Sequence, residues 1–152
     1  MSESIRFHSR GLQLSGTLHR PAAAGAPLVI GLHGLLSNST SPKQLALAER
    51  CITADLAYLR FDHRGCGQSQ GDIVTDTTFD GRCGDLVAAV TWAHDHLPAR
   101  APLGLFGSSY GGAVALAMGN AVKAQALVTV AAPVRSSTLG AAIADPTAPA
   151  FM

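Results

Sequence analysis

Apolar and polar positions follow two different rhythms along the chain. Near the amino terminus Ile5 and Phe7, then Leu12, Leu14, Gly16 and Leu18, alternate with polar neighbours across Ser9-Arg10-Gly11. That period predicts an antiparallel hairpin with one wet face. Farther along the alternation stops. Leu28 to Leu32, Ala57 to Phe61, Leu103 to Phe106 and Ala126 to Ala131 are short apolar runs without it, which predicts strands covered on both faces and hence a parallel sheet. Between the runs the period lengthens. Ser41-Pro42-Lys43-Gln44 offers a cap, a proline at the first helical position and a capping-box glutamine, and Leu45, Ala48 and Ile52 mark one face of the helix that follows. Leu86, Val90, Ala93 and Leu97 mark a second helix stopped by Pro98, and a third runs from about Tyr110 to Asn120. Alternating strands and helices predict an α/β fold with right-handed crossovers, mostly parallel, with about six strands including the hairpin.

Composition narrows what such a fold can do. The chain has 152 residues, 47% hydrophobic and 14% charged, about one domain's worth and too apolar for a disordered segment. Residues 1–135 read as the core and residues 136–152, rich in Ala and Pro, as a weakly structured tail. Lys and Arg number 11 against 10 Asp and Glu, with no run of like charge, so the electrostatic footprint of a nucleic-acid or anionic-membrane binder is missing. A small-molecule partner is expected. Pro21 to Pro42 and Ala101 to Val122 each run 22 residues without a charge, but Gly, Ser and Asn clusters break both, as buried strand, turn and helix would. Cys51, Cys66 and Cys83 are odd in number and widely spaced, which suits neither a disulfide framework nor a zinc ribbon. With no apolar signal segment in the first 14 residues, a reducing, cytoplasmic location is expected.

Candidate chemistry sits in three loops that follow predicted strands. Gly107-Ser108-Ser109-Tyr110-Gly111, followed by Gly112, carries G-x-S-x-G between a strand and a helix, the setting in which a nucleophilic serine stands on a sharp turn. Ser109 needs a strained, left-handed backbone there, and side chains at Gly107 and Gly111 would collide with neighbouring strand and helix. The Tyr110 N–H, at the positive end of the following helix, would face an oxygen that becomes negative in acyl transfer. The alternative is a small-residue turn without chemistry. In the second loop, Gly31 to Leu36, the His33-Gly34 pair permits a tight turn offering the Leu35 N–H as a second oxyanion donor, with His33 an orienting ring rather than a general base. In the third, Asp62 to Ser69, two glycines and the Asp62–Arg64 pair suit a rigid loop at the strand carboxyl ends, where α/β sites form. No metal or cofactor is called for. His94 and His96 are two apart on a helix and do not share a face, and Gly65 to Gly71 misses the dinucleotide spacing.

Together these motifs resemble the α/β-hydrolase superfamily, and within it the serine-aminopeptidase-like and small esterase group. Members combine an HG-x oxyanion loop, a D-x-R-G-x-G-x-S loop and a G-x-S-x-G-G elbow, here His33-Gly34-Leu35, Asp62 to Ser69 and Gly107 to Gly112. Gly11, Leu14, Gly16, Leu18 and Pro21 resemble the group's first hairpin, so the likeness covers about residues 4–134. It implies Ser109 as nucleophile, Leu35 and Tyr110 as backbone oxyanion donors, and cleavage of a carboxylic ester, thioester or amide through an acyl-enzyme.

The departure from the group is as informative as the match. In that fold the acid and then the histidine of the triad follow the serine, yet the histidines here, at 8, 19, 33, 63, 94 and 96, all precede Ser109. Asp145 is the sole carboxylate after it and a weak candidate for the acid. The resemblance therefore implies the amino-terminal part of the fold, lacking its last strands. Two readings follow: the nucleophile-bearing part of a serine hydrolase with little or no activity alone, or a non-catalytic α/β module that binds a partner or needs a carboxyl-terminal piece. In either, the apolar run 126–131 is an edge exposed to self-association.

Overall fold

The computed structural model describes residues 1–97 and 101–134. Asp145, the tail from 136 onward and Pro98 lie outside the described residues. The hairpin forms from β1 (Ser2–Ser9) and β2 (Leu12–His19), paired from Ser2 with His19 to Ser9 with Leu12. Arg10 and Gly11 both take positive φ at its tip, the left-handed pair that matches a hairpin's twist. Then follow β3 (Leu28–Leu32), α1 (Pro42–Thr53), β4 (Ala57–Phe61), α2 (Phe79–His96), β5 (Leu103–Ser108), α3 (Tyr110–Met118) and β6 (Ala126–Val130). The sheet runs β1-β2-β4-β3-β5-β6. β2 meets β4 antiparallel, and β4, β3, β5 and β6 are mutually parallel, as the two hydrophobic rhythms predict.

Each face of the sheet has its own helices because successive strand residues point opposite ways. Ile30 and Leu59 join the large core with Leu86 and Val90 of α2 and Val114 of α3, while Tyr58, and partly buried Val29, pack with Ala48 and Cys51 of α1. Nineteen buried side chains form the larger cluster, which makes it the main source of stability.

The structure corrects two expectations and sets one boundary that the sequence pattern leaves open. On α1 the buried residues are Gln44, Ala48 and Cys51, whereas Leu45 is exposed. The cause is Tyr58, a fully buried phenol that needs a hydrogen-bond partner; its hydroxyl donates to Gln44 Oε1 at 2.6 Å. Gln44 is thus no capping residue, and Ser41 makes no side-chain cap bond. The boundary is that of α2, which begins two turns before Leu86, at Phe79, where Thr78 Oγ1 accepts from the Gly81 N–H. The second correction is that β6 is not a covered strand. Among the described residues it pairs only with β5, and Leu127, Val128 and Val130 are exposed. No helix among the described residues is long and apolar enough to cross a membrane.

Candidate active site

Strands β3, β4 and β5 end together, and the three candidate loops leave from those ends. The turn after β5 is sharp: Ser109 sits at φ 51°, ψ −123°, directly before α3. A side chain pays strain for that geometry, and its surroundings impose it. The Ser109 N–H donates to Val130 O at 2.8 Å, and Ser109 O accepts from Gly112 N at 2.8 Å. A Cβ on Gly107 would lie 2.5 Å from Gly111 O, and one on Gly111 2.3 Å from Leu32 O. At Gly112 it would press Ala132 at 2.8 Å. Strand, helix and neighbouring loop therefore meet at distances that only glycine allows. Ser108 faces a different partner, since Lys43 Nζ donates to its Oγ at 2.7 Å.

Gly34 lies beside this turn, but not for the reason its sequence suggests. Its φ is not positive, and an added Cβ would stand 3.5 Å from Ser109 Cβ, an ordinary contact that fills the space next to the serine. His33 is buried and uses both ring nitrogens: Nδ1–H donates to Gly34 O at 2.7 Å and Nε2 accepts from the His63 N–H at 3.0 Å. Burial, with His63 and Arg82 nearby, pushes its pKa well below the ordinary histidine value, so the ring is neutral.

Asp62 and Arg64 do not pair with each other. Asp62 ties its own loop to the next, accepting from Ser39 N at 2.6 Å and Gln68 N at 2.8 Å. Its carboxylate lies where a Cβ on Gly67 would fall, and Gly67 has φ +52°. Arg64 forks onto buried Asp85 of α2 through Nε at 3.0 Å and Nη2 at 2.7 Å. Asp85 also accepts from His63 Nδ1–H at 3.2 Å. Burial pushes His63 down to about 4 despite that bond. For Asp85 burial acts upward, but the bonds from His63 and Arg64 outweigh it and hold the carboxyl well below the usual range.

Arg82 is the residue that sequence reasoning missed most completely. It is fully buried on α2 and its guanidinium donates to three consecutive carbonyls, His33 and Gly34 through Nη1 at 3.2 Å each and Leu35 through Nη2 at 2.9 Å. It also lies 5.2 Å from the Tyr110 ring centroid. A signal existed: Arg82 continues the i, i+4 face of Leu86 and Val90 toward the amino terminus. Among the described residues no cluster of three His, Cys, Asp or Glu could hold a metal ion, and His96 instead stacks on Trp92.

A mostly parallel sheet carrying a glycine-flanked serine between β5 and α3 is the architecture of an α/β-hydrolase, and the comparisons agree. Residues 24–150 match the family described as serine aminopeptidase, S33; the chain belongs to it. It is 35% identical over 109 residues to palmitoyl-protein thioesterase ABHD10, mitochondrial, of Bos taurus, covering 72% of this chain and 33% of that protein. Among solved structures, an esterase of Pyrococcus furiosus superposes with TM-score 0.82 at 26% identity over 93% of this chain and 53% of its own. The α/β-hydrolase GrgF of Penicillium sp. sh18 does so with TM-score 0.81 at 25% identity over 90% and 48%. The chain thus spans a third to about half the length of these relatives.

Proposed function

We propose that this chain is the nucleophile-bearing part of a serine hydrolase that cleaves carboxylic esters, thioesters or amides, with Ser109 forming the acyl-enzyme. The observation that carries this reading is the left-handed Ser109 turn wedged between Gly107 and Gly111, because strain of this kind persists only where surrounding contacts over-determine it. In the acyl-transfer step the Ser109 hydroxyl gives its proton to a base as Oγ adds to the substrate carbonyl carbon, and the carbonyl oxygen takes the charge. The N–H groups of Leu35 and Tyr110 receive that oxygen. As the carbonyl re-forms, the bond to the alcohol, thiol or amine breaks and that group leaves with the proton. Tyr110 opens α3, so its N–H has no acceptor within the helix. Leu35 N–H donates to no group among the described residues.

The base comes from elsewhere. Both nitrogens of His33 are engaged, and His63 is fully buried against Asp85. No histidine of the 152 residues follows Ser109, so another polypeptide segment supplies it in this reading. The names of the relatives, a palmitoyl-protein thioesterase and an esterase, favour an acyl ester or thioester over an amide. Three free, buried cysteines fit a reducing compartment such as the cytoplasm. The histidine pattern also favours a second reading, a non-catalytic module that docks a partner, and exposed Leu127, Val128 and Val130 make 126–131 the surface for self-association.

Trapping separates the two. Without a base deacylation is slow, so incubation with p-nitrophenyl butyrate, acid quench and peptide mapping should find butyrate on Ser109 and none in Ser109→Ala. Equal acylation of the variant, or none of either protein with added imidazole, removes the hydrolase reading.

A further inference from the structure

We propose that Arg82 is a positioning residue that fixes the Gly34–Leu35 peptide so that the Leu35 N–H is turned outward beside Ser109. The proposal deepens, and rests on, the reading of Leu35 as an oxyanion donor.

The argument is one of peptide geometry. The Gly34 carbonyl and the Leu35 N–H belong to the same planar unit and point opposite ways across a trans bond. Whatever holds that carbonyl aims that N–H. Three donors hold it: the Ser37 N–H at 3.3 Å, His33 Nδ1–H at 2.7 Å and Arg82 Nη1 at 3.2 Å. Ser37 belongs to the loop itself and travels with it if it rearranges, while His33 is tied only to a neighbouring loop, through the His63 N–H. Arg82 comes from α2, so its bond refers the peptide to the helix layer of the domain. The same guanidinium takes the carbonyls on either side, His33 and Leu35. Turning the middle peptide over would present an N–H to a buried cation and leave a donor without its acceptor, the most costly kind of unmade hydrogen bond.

Two further observations place this residue at the site. Its guanidinium lies over the ring of Tyr110, the residue that carries the other proposed donor, so one side chain touches both halves of the oxyanion pair. On the outward face, Gly34 abuts Ser109, and the Leu35 N–H is free of any partner among the described residues. Lysine cannot replace this function: a single ammonium head lacks the planar fork that spans neighbouring carbonyls.

The experiment is an amide-resolved NMR titration of the chain with phenylboronic acid, whose boron accepts Ser109 Oγ while the hydroxyl proton passes to solvent. The unsubstituted chain should show the Leu35 and Tyr110 amides moving together. Arg82→Lys, with the β3 and β5 signals unchanged, should show a displaced Leu35 amide that no longer responds, a responding Tyr110, and boronate binding weaker by about a hundredfold, the low end for losing one oxyanion donor. A folded Arg82→Lys with an unmoved, responsive Leu35 amide overturns the proposal. Should that variant fail to fold, the Nη protons of the unsubstituted chain decide: resolved, slowly exchanging signals support it, and a freely rotating guanidinium overturns it. If Ser109→Ala leaves the boronate response intact, the nucleophile reading fails, while the Leu35 amide in Arg82→Lys still judges Arg82.

Discussion

The loops after β3, β4 and β5 and the strand β6 stand side by side in one sheet, yet they are built in opposite ways. Around the loops buried polar side chains are held by several partners: Arg64 on Asp85, Arg82 of α2 on three carbonyls, His33 through both nitrogens, Asp62 on two backbone N–H groups, with His63 Nε2 and Arg82 Nε left over. On β6 apolar side chains stand in solvent, with Val128 at 58% and Val130 at 45% exposure. The difference separates what this stretch of chain organises by itself from what it leaves open. The turn that bears Ser109 is organised from within residues 31–132. The strand is not idle, however: its Val130 carbonyl holds the Ser109 N–H, and Ala132 just beyond it crowds Gly112. The open edge therefore clamps the ordered site.

Substitutions at the site should cost most. Gly111→Val drives a Cβ toward the backbone oxygen of Leu32 and should destabilise by more than about 4 kcal/mol, read as loss of a cooperative thermal transition. Gly34→Ala, with room for its methyl, should change stability by under about 1 kcal/mol. If the two variants melt alike, close approach at the elbow is not what the glycines serve. Asp85→Ala comes next. It strands a buried guanidinium and should cost about 4 kcal/mol by urea denaturation, whereas a loss below about 1 kcal/mol would show that water reaches Arg64.

Protonation probes the same interior more gently. His63 has a folded pKa near 4 against 6.5 unfolded, so between those values the unfolded chain binds more protons. Stability is then full above about pH 6.5 and falls as pH drops toward 4, by up to about 3 kcal/mol. His33 shifts the same way. Thermal melts at pH 7.5, 5.5 and 4.5 test this, and a flat profile would mean that the rings are solvated.

At the edge the expected stability change is the smallest. Val128→Lys should alter unfolding by no more than about 0.5 kcal/mol, while sedimentation at tens of micromolar shifts from self-associated chain toward monomer. A wild-type chain that is already monomeric would remove the contrast between the two regions.

The same contrast explains what was legible in the sequence. Strand periodicity and glycine spacing are local signals, so the hairpin, the parallel strands and the elbow at Ser109 could be placed from residues alone. Arg82 and Asp85 could not, because their partners lie 47 to 49 and 21 to 22 residues away, respectively. Charged residues on a helix read as solvated until a third element closes over them. Gln44 misled for the same reason: its capping-box position is a local fact, and Tyr58 is a distant one. On β6 the run Ala126 to Val130 was recognisable as a strand, but the covering it suits depends on residues no pattern within it can name.

Phosphonylation by an alkyl fluorophosphonate, followed by peptide mapping with and without free imidazole, tests most directly whether this chain holds an assembled serine nucleophile that lacks only its base. The account predicts slow labelling confined to Ser109, acceleration by imidazole standing in for the missing histidine, and no labelling of that peptide in Ser109→Ala. Rapid labelling without imidazole, or labelling of Ser108 that is indifferent to Ser109→Ala, would contradict it.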